Sequence, residues 1–193
     1  MRGRRSSTRC FGALALVVAA LCATAAALGA GAKPLTLGLG QGVAVSGTDI
    51  VCAFGGPANQ VGLACLSAHP KANAAFSFRV DENELAAFRS TSGRTTRVGR
   101  WKEPASRISQ PRSAAVSDFN LIAHVPVGAR FRASGTDLGC TVYAFKGRTE
   151  VACFKLDSSG LPLNGSYAAA LDARGLQVSR FDGGHGTTVF VGP

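Results

Sequence analysis

Short runs of alternating apolar and polar residues recur along this chain, each closed by Gly, Pro, Asn or Asp. That alternation is the period of a half-buried strand, whose successive side chains point to opposite faces. It marks residues 50–54, 61–66, 75–80 and 85–89, and again 138–145, 149–156, 166–171, 176–181 and 187–191, with a weaker run at 95–98. Ala168-Ala169-Ala170 has helical propensity, but Tyr167 and the following Asp172-Ala173-Arg174-Gly175 turn favour a strand. The pattern predicts an all-β chain in two sections, each of five or six short strands.

The two sections read as copies. Ser46-Gly47-Thr48-Asp49 precedes Cys52 and Cys65; Ser134-Gly135-Thr136-Asp137, 88 positions on, precedes Cys140 and Cys153. Eight of the 26 positions from 40 to 65 recur without a gap from 128 to 153, which points to two tandem homologous, β-hairpin-rich repeats. Each Ser-Gly-Thr-Asp reads as a turn, with Gly supplying the backbone angle and Asp and Ser bonding nearby amides. Further on, Phe78 aligns with Tyr167 and the offset drifts from 88 to 91, as small insertions at turns would cause. Gly175 is expected in the left-handed position of a hairpin loop. A repeat this small struggles to bury a core alone, so the copies are expected to pack as sandwich or barrel-like lobes, in contact or around one shared core.

The N-terminus has a different pattern. Arg2, Arg4, Arg5 and Arg9 precede an apolar stretch from 11 to 28, and Ala30-Gly31-Ala32 offers a small-x-small cleavage site. That is the layout of a secretory signal peptide, with an uncleaved anchor as the alternative. The organisation read from the chain is a signal peptide at 1–32, a first repeat at 33–101, a basic Pro/Ser/Arg-rich linker at 102–122 and a second repeat at 123–193. Residues 118–122 rejoin the fold as a lead-in strand.

Export changes the reading of the cysteines. Cys10 and Cys22 leave with the signal, and the remaining four suit two disulfides. Duplication selects Cys52–Cys65 and Cys140–Cys153, each tying the strands of one hairpin. Zinc fits poorly, because no C-x-x-C pair occurs and His69, His124 and His185 occupy unmatched positions.

The chain carries 21 basic and 11 acidic residues, and losing four arginines with the signal takes +10 to +6. That surplus lies between Arg89 and Arg112, where Arg89, Arg94, Arg97, Arg100, Lys102, Arg107 and Arg112 face one acid, Glu103. Arg94, Arg97, Arg100, Lys102, Arg107 and Arg112 are the candidate binding residues for an anionic envelope polymer or membrane surface. The competing reading is a solvated segment whose cations keep a sheet edge from aggregating. Trp101 reads as core. No specific nucleic-acid partner is expected; an extracellular protein is the other partner class.

Catalytic signatures are lacking. Nothing resembles Gly-x-Ser-x-Gly or a phosphate loop, and the histidines sit in unrelated contexts. Asp49 and Asp137 recur in both copies, as a turn requires and an active site does not. Asp81, Glu82 and Glu84 crowd one hairpin tip without the spacing of a calcium loop. No cofactor is implied. The expectation is an exported, non-catalytic binding or structural module, with an inhibitor of an extracellular enzyme as the alternative, presenting loops near 55–60, 158–165 or 183–186. A secreted hydrolase comes third.

Overall fold

Runs that alternate in sequence must bury one row of side chains, and two such sheets do so by facing each other. The computed structural model describes residues 33–57, 61–69, 74–105, 119–183 and 185–192, which contain fourteen strands and no helix. Residues 1–32, read above as a signal peptide, lie outside these residues. The first seven strands are β1 (Leu35–Leu37), β2 (Gln41–Val45), β3 (Ile50–Gly55), β4 (Gly62–His69), β5 (Ala74–Asp81), β6 (Glu84–Thr91) and β7 (Arg94–Lys102). The rest are β8 (Asn120–Val125), β9 (Arg130–Ala133), β10 (Leu138–Phe145), β11 (Arg148–Lys155), β12 (Tyr167–Asp172), β13 (Gly175–Asp182) and β14 (His185–Gly192). The described residues are thus all-β, in two sheets with two disulfides. Seven strands stand in each section where the alternation suggested five or six.

The sheets are not simply the two sections. Sheet I has the order β7-β6-β5-β4-β3-β2-β8, and sheet II the order β1-β9-β10-β11-β12-β13-β14. Each section sends its first strand to the other sheet, where β1 pairs parallel with β9 and β8 pairs parallel with β2. Tight turns make the switch. The Gln41 N–H donates to the Gly38 carbonyl and the Ala129 N–H to the Pro126 carbonyl. Gly40 and Gly128 follow these carbonyls at φ 80° and 91°, where a Cβ would be strained.

The registers correspond residue for residue. Leu35 faces Phe131, and Val43 faces Ala123, the same pair after a shift of 88. Beyond the turn after β4 the shift is 91. Both bulges fall at equivalent places, after Ala87 and after Val178, and Arg89 lies over Phe76 as Arg180 lies over Tyr167. Tyr167 therefore corresponds to Phe76, not to Phe78.

Phe54, Phe76, Phe78 and Phe131 are among the largest fully buried side chains, in one core fed by both sheets. Both disulfides, Cys52–Cys65 and Cys140–Cys153, point into it from directly opposed positions. The sulfurs of Cys65 and Cys153 lie 3.6 Å apart across the sandwich. Neither carries a hydrogen, so this is a packing contact.

In the Ser-Gly-Thr-Asp turns Gly47 and Gly135 supply the backbone angle as expected, at φ 74° and 70°. Threonine adds bonds the sequence did not suggest: Thr48 Oγ1 donates to the Val45 carbonyl and accepts from the Ile50 N–H, and Thr136 repeats both bonds. At 172–175 the Asp172 carboxylate accepts the Arg174 and Gly175 N–H groups, and Gly175 at φ 154° is not in the left-handed well.

Candidate functional site

Four of the six candidate cations lie on β7, an edge strand of sheet I; Arg107 and Arg112 fall outside the described residues. Alternation alone would put Arg97 and Arg100, an odd number of residues apart, on opposite faces. A bulge reverses this. Ala87 pairs with Gly99 and Phe88 with Arg97, leaving Val98 unpaired. Arg97, Arg100 and Lys102 consequently share the outer face of sheet I, opposite Phe88, Ala86 and Glu84. Arg94 falls on the other row, with Thr96 and Trp101.

Two carboxylates reach this face. Glu84 accepts from Arg100 Nε and, at 3.2 Å, from Arg79, while Asp81 takes the Arg79 Nε. Asp81 also accepts the Asn83 and Glu84 N–H groups. The acidic hairpin tip is thus occupied by backbone and arginines. Arg97 and Lys102 remain exposed beside it.

Trp101 packs inward. Its ring lies 6.3 Å from Tyr167 and 5.7 Å from Phe190. A Cβ on Gly99 would stand 2.1 Å from that ring, so glycine is what admits the indole between the sheets.

A second charged group lies between the sheets; of its members the sequence drew attention only to Glu103, as the lone acid of the basic run, and to neither as a site residue. Lys155 is 0% exposed, and its Nζ donates to the carbonyls of Glu82 at 2.5 Å and Pro104 at 2.8 Å. Glu103, 4% exposed, accepts the Tyr167 N–H at 3.2 Å. Burial pushes its carboxyl up to about 7; the Lys155 charge and the Tyr167 N–H pull it down, and Asp137 and Asp81 push it further up. Such a group can hold a proton near neutrality, but neither end meets solvent, so its chemistry is to tie the sheets together. One signal was legible. Lys155 stands on the inward row where the first section has Ser67, a hydroxyl that donates to Asp49 at 2.8 Å. A lysine on an inward row requires buried partners.

The other candidates scatter. His124 lies on β8 and His185 opens β14, in different sheets; the side chain of His69 lies outside the described residues. The sulfurs of Cys52, Cys65 and Cys153 all lie within 4.8 Å of one another, a spacing that could serve a soft metal, but each is committed to a disulfide. No protein-family model matches the chain, and comparison with curated proteins and with solved structures finds no match.

Proposed function

We propose that this chain is an exported, non-catalytic binding module of the cell envelope, descended by duplication from one β unit, that engages an anionic partner through β7. One observation carries the binding reading: the bulge at Val98 gathers Arg97, Arg100 and Lys102 on one exposed face of an edge strand that itself contains no acid. Matching registers after shifts of 88 and 91 support the duplication. Two buried disulfides suit an oxidising compartment outside the cytoplasm. The non-catalytic reading rests on the perturbed Glu103 being sealed between the sheets rather than open to a substrate.

The test is sedimentation with isolated envelope material. The mature protein should pellet with it and be released by salt, because exposed charge contacts are screened within about 10 Å at 0.1 M. Changing Arg94, Arg97, Arg100 and Lys102 together to Gln should weaken binding at least tenfold. Binding that survives both the salt and the substitutions would sink the proposal.

A further inference from the structure

Past Arg79, Asp81 and Glu84 on β5 and β6, the outer face of sheet I continues into a mainly apolar surface, with His124 beside Ala44 at the β8 edge. On β3 and β4, Val51 is 44% and Leu66 46% exposed; at the far edge Leu121 on β8 is 49% and Phe119 54% exposed. Registers place these side chains together: Val51 pairs with Leu66, Leu121 with Gly42, and the Phe119 ring covers Gly55. Every other position on this face of β2 and β3, and of β4 up to Leu66, is Gly or Ala. The opposite face of the molecule is unlike it. There Arg130 and Arg132 replace the equivalents of Gly42 and Ala44, and Tyr143 bonds Glu150 while Arg148 bonds Asp172, both at 2.6 Å.

From this we infer that the outer face of sheet I docks on the surface of an anionic phospholipid bilayer, an inference that rests on the binding role proposed for β7. Charge complementarity selects the occupant. A second copy docked through the same outer face would offer Arg97 and Lys102, among the strand residues described on that face, only Asp81 and Glu84, which already hold Arg79 and Arg100. A soluble polyanion would satisfy the cations and leave the aliphatic side chains in water. A leaflet supplies both halves, with phosphates for the cations and the acyl boundary for Val51, Leu66, Leu121 and Phe119. β3 lies four strands from β7 and β8 six, so the face spans roughly 19 to 29 Å at the usual strand spacing. That extent suits a flat surface rather than one small ligand. Its Gly and Ala floor sets the raised side chains at a shallow depth.

The experiment is co-sedimentation of residues 33–193 with vesicles of phosphatidylcholine containing a quarter phosphatidylglycerol, and with pure phosphatidylcholine. Binding should need the anionic lipid and fall at least tenfold between low and high salt. Leu66→Asn with Leu121→Asn should weaken vesicle binding about tenfold and leave binding to a soluble polyanion, dextran sulfate, unchanged. Arg97→Gln with Lys102→Gln should weaken both. Arg132→Gln, on the opposite face, should alter neither, and circular dichroism with disulfide mapping checks that each variant is folded. Vesicle binding that is absent, or indifferent to the Leu66 and Leu121 changes, overturns the lipid inference. If dextran sulfate and envelope binding persist in that case, the reading of β7 as a polyanion site stands. A dimer that Leu66→Asn dissociates would assign the face to a second copy and overturn the inference as well. Envelope binding that ignores Arg97→Gln and Lys102→Gln brings down the β7 role beneath it.

Discussion

A carboxyl that titrates at about 7 in the folded chain and at about 4.5 when exposed holds more protons folded than unfolded across that window. The stabilisation linked to Glu103 is therefore fully present below about pH 4.5 and is lost as pH rises through 7. The full difference corresponds to about 3 kcal/mol. Glu150, also raised by burial, acts in the same direction, whereas the lowered carboxyl of exposed Asp157 acts only in acid. Denaturant unfolding at pH 5 and pH 8 should show the protein more stable at pH 5, and Glu103→Gln should remove most of the difference. A variant with the wild-type pH slope would refute this account. Lys155→Met should cost about 3–5 kcal/mol, because it leaves buried Glu103 and two carbonyls without their cation. None of this was legible in Glu103, which looked like a stray acid in a basic run. Burial alone made it special.

Among elements, the β6–β7 hairpin carries the candidate site and is set by its turn. Ser92 and Gly93 have φ 50° and 78°, the paired positive angles of a tight hairpin turn. Gly93→Val should destabilise by about 1–2 kcal/mol, read from the urea midpoint, and should weaken polyanion binding as β7 frays. The hairpin disulfides are the second elemental device. Each closes a 13-residue separation, and replacing either cystine by two alanines should cost roughly 3 kcal/mol. Because Cys65 and Cys153 touch, removing both should depart from additivity by about 0.5 kcal/mol or more. Strand positions and cysteine pairing were readable here because alternation and repetition are local or linear properties. The bulge at Val98 was not, since nothing in Arg97-Val98-Gly99 distinguishes a bulge from regular pairing.

For the whole molecule, strand exchange makes the halves interdependent. A chain ending at 105 lacks β8, and one starting at 119 lacks β1, so each would leave inward residues such as Val43 or Phe131 beside an open edge. Residues 33–105 and 119–193 made separately should each fail to give a folded monomer, and on mixing should form a one-to-one complex. A well-dispersed amide spectrum from either half as a monomer would refute this. The intact chain should unfold in one cooperative transition, since one core spans both sheets.

Alternation, turn residues and the recurrence of a pattern at 88 positions determined by themselves that the described residues are built of strands, where most of those strands lie and which cysteines meet, because each depends on neighbours in sequence or on the recurring pattern. Tertiary structure alone decided that the first strands trade sheets, that Lys155 reaches across to Glu82 and Pro104, and that cations and aliphatic residues share one outer face. Those depend on which strand lies beside which and on which row faces inward, and a one-residue bulge is enough to change the answer.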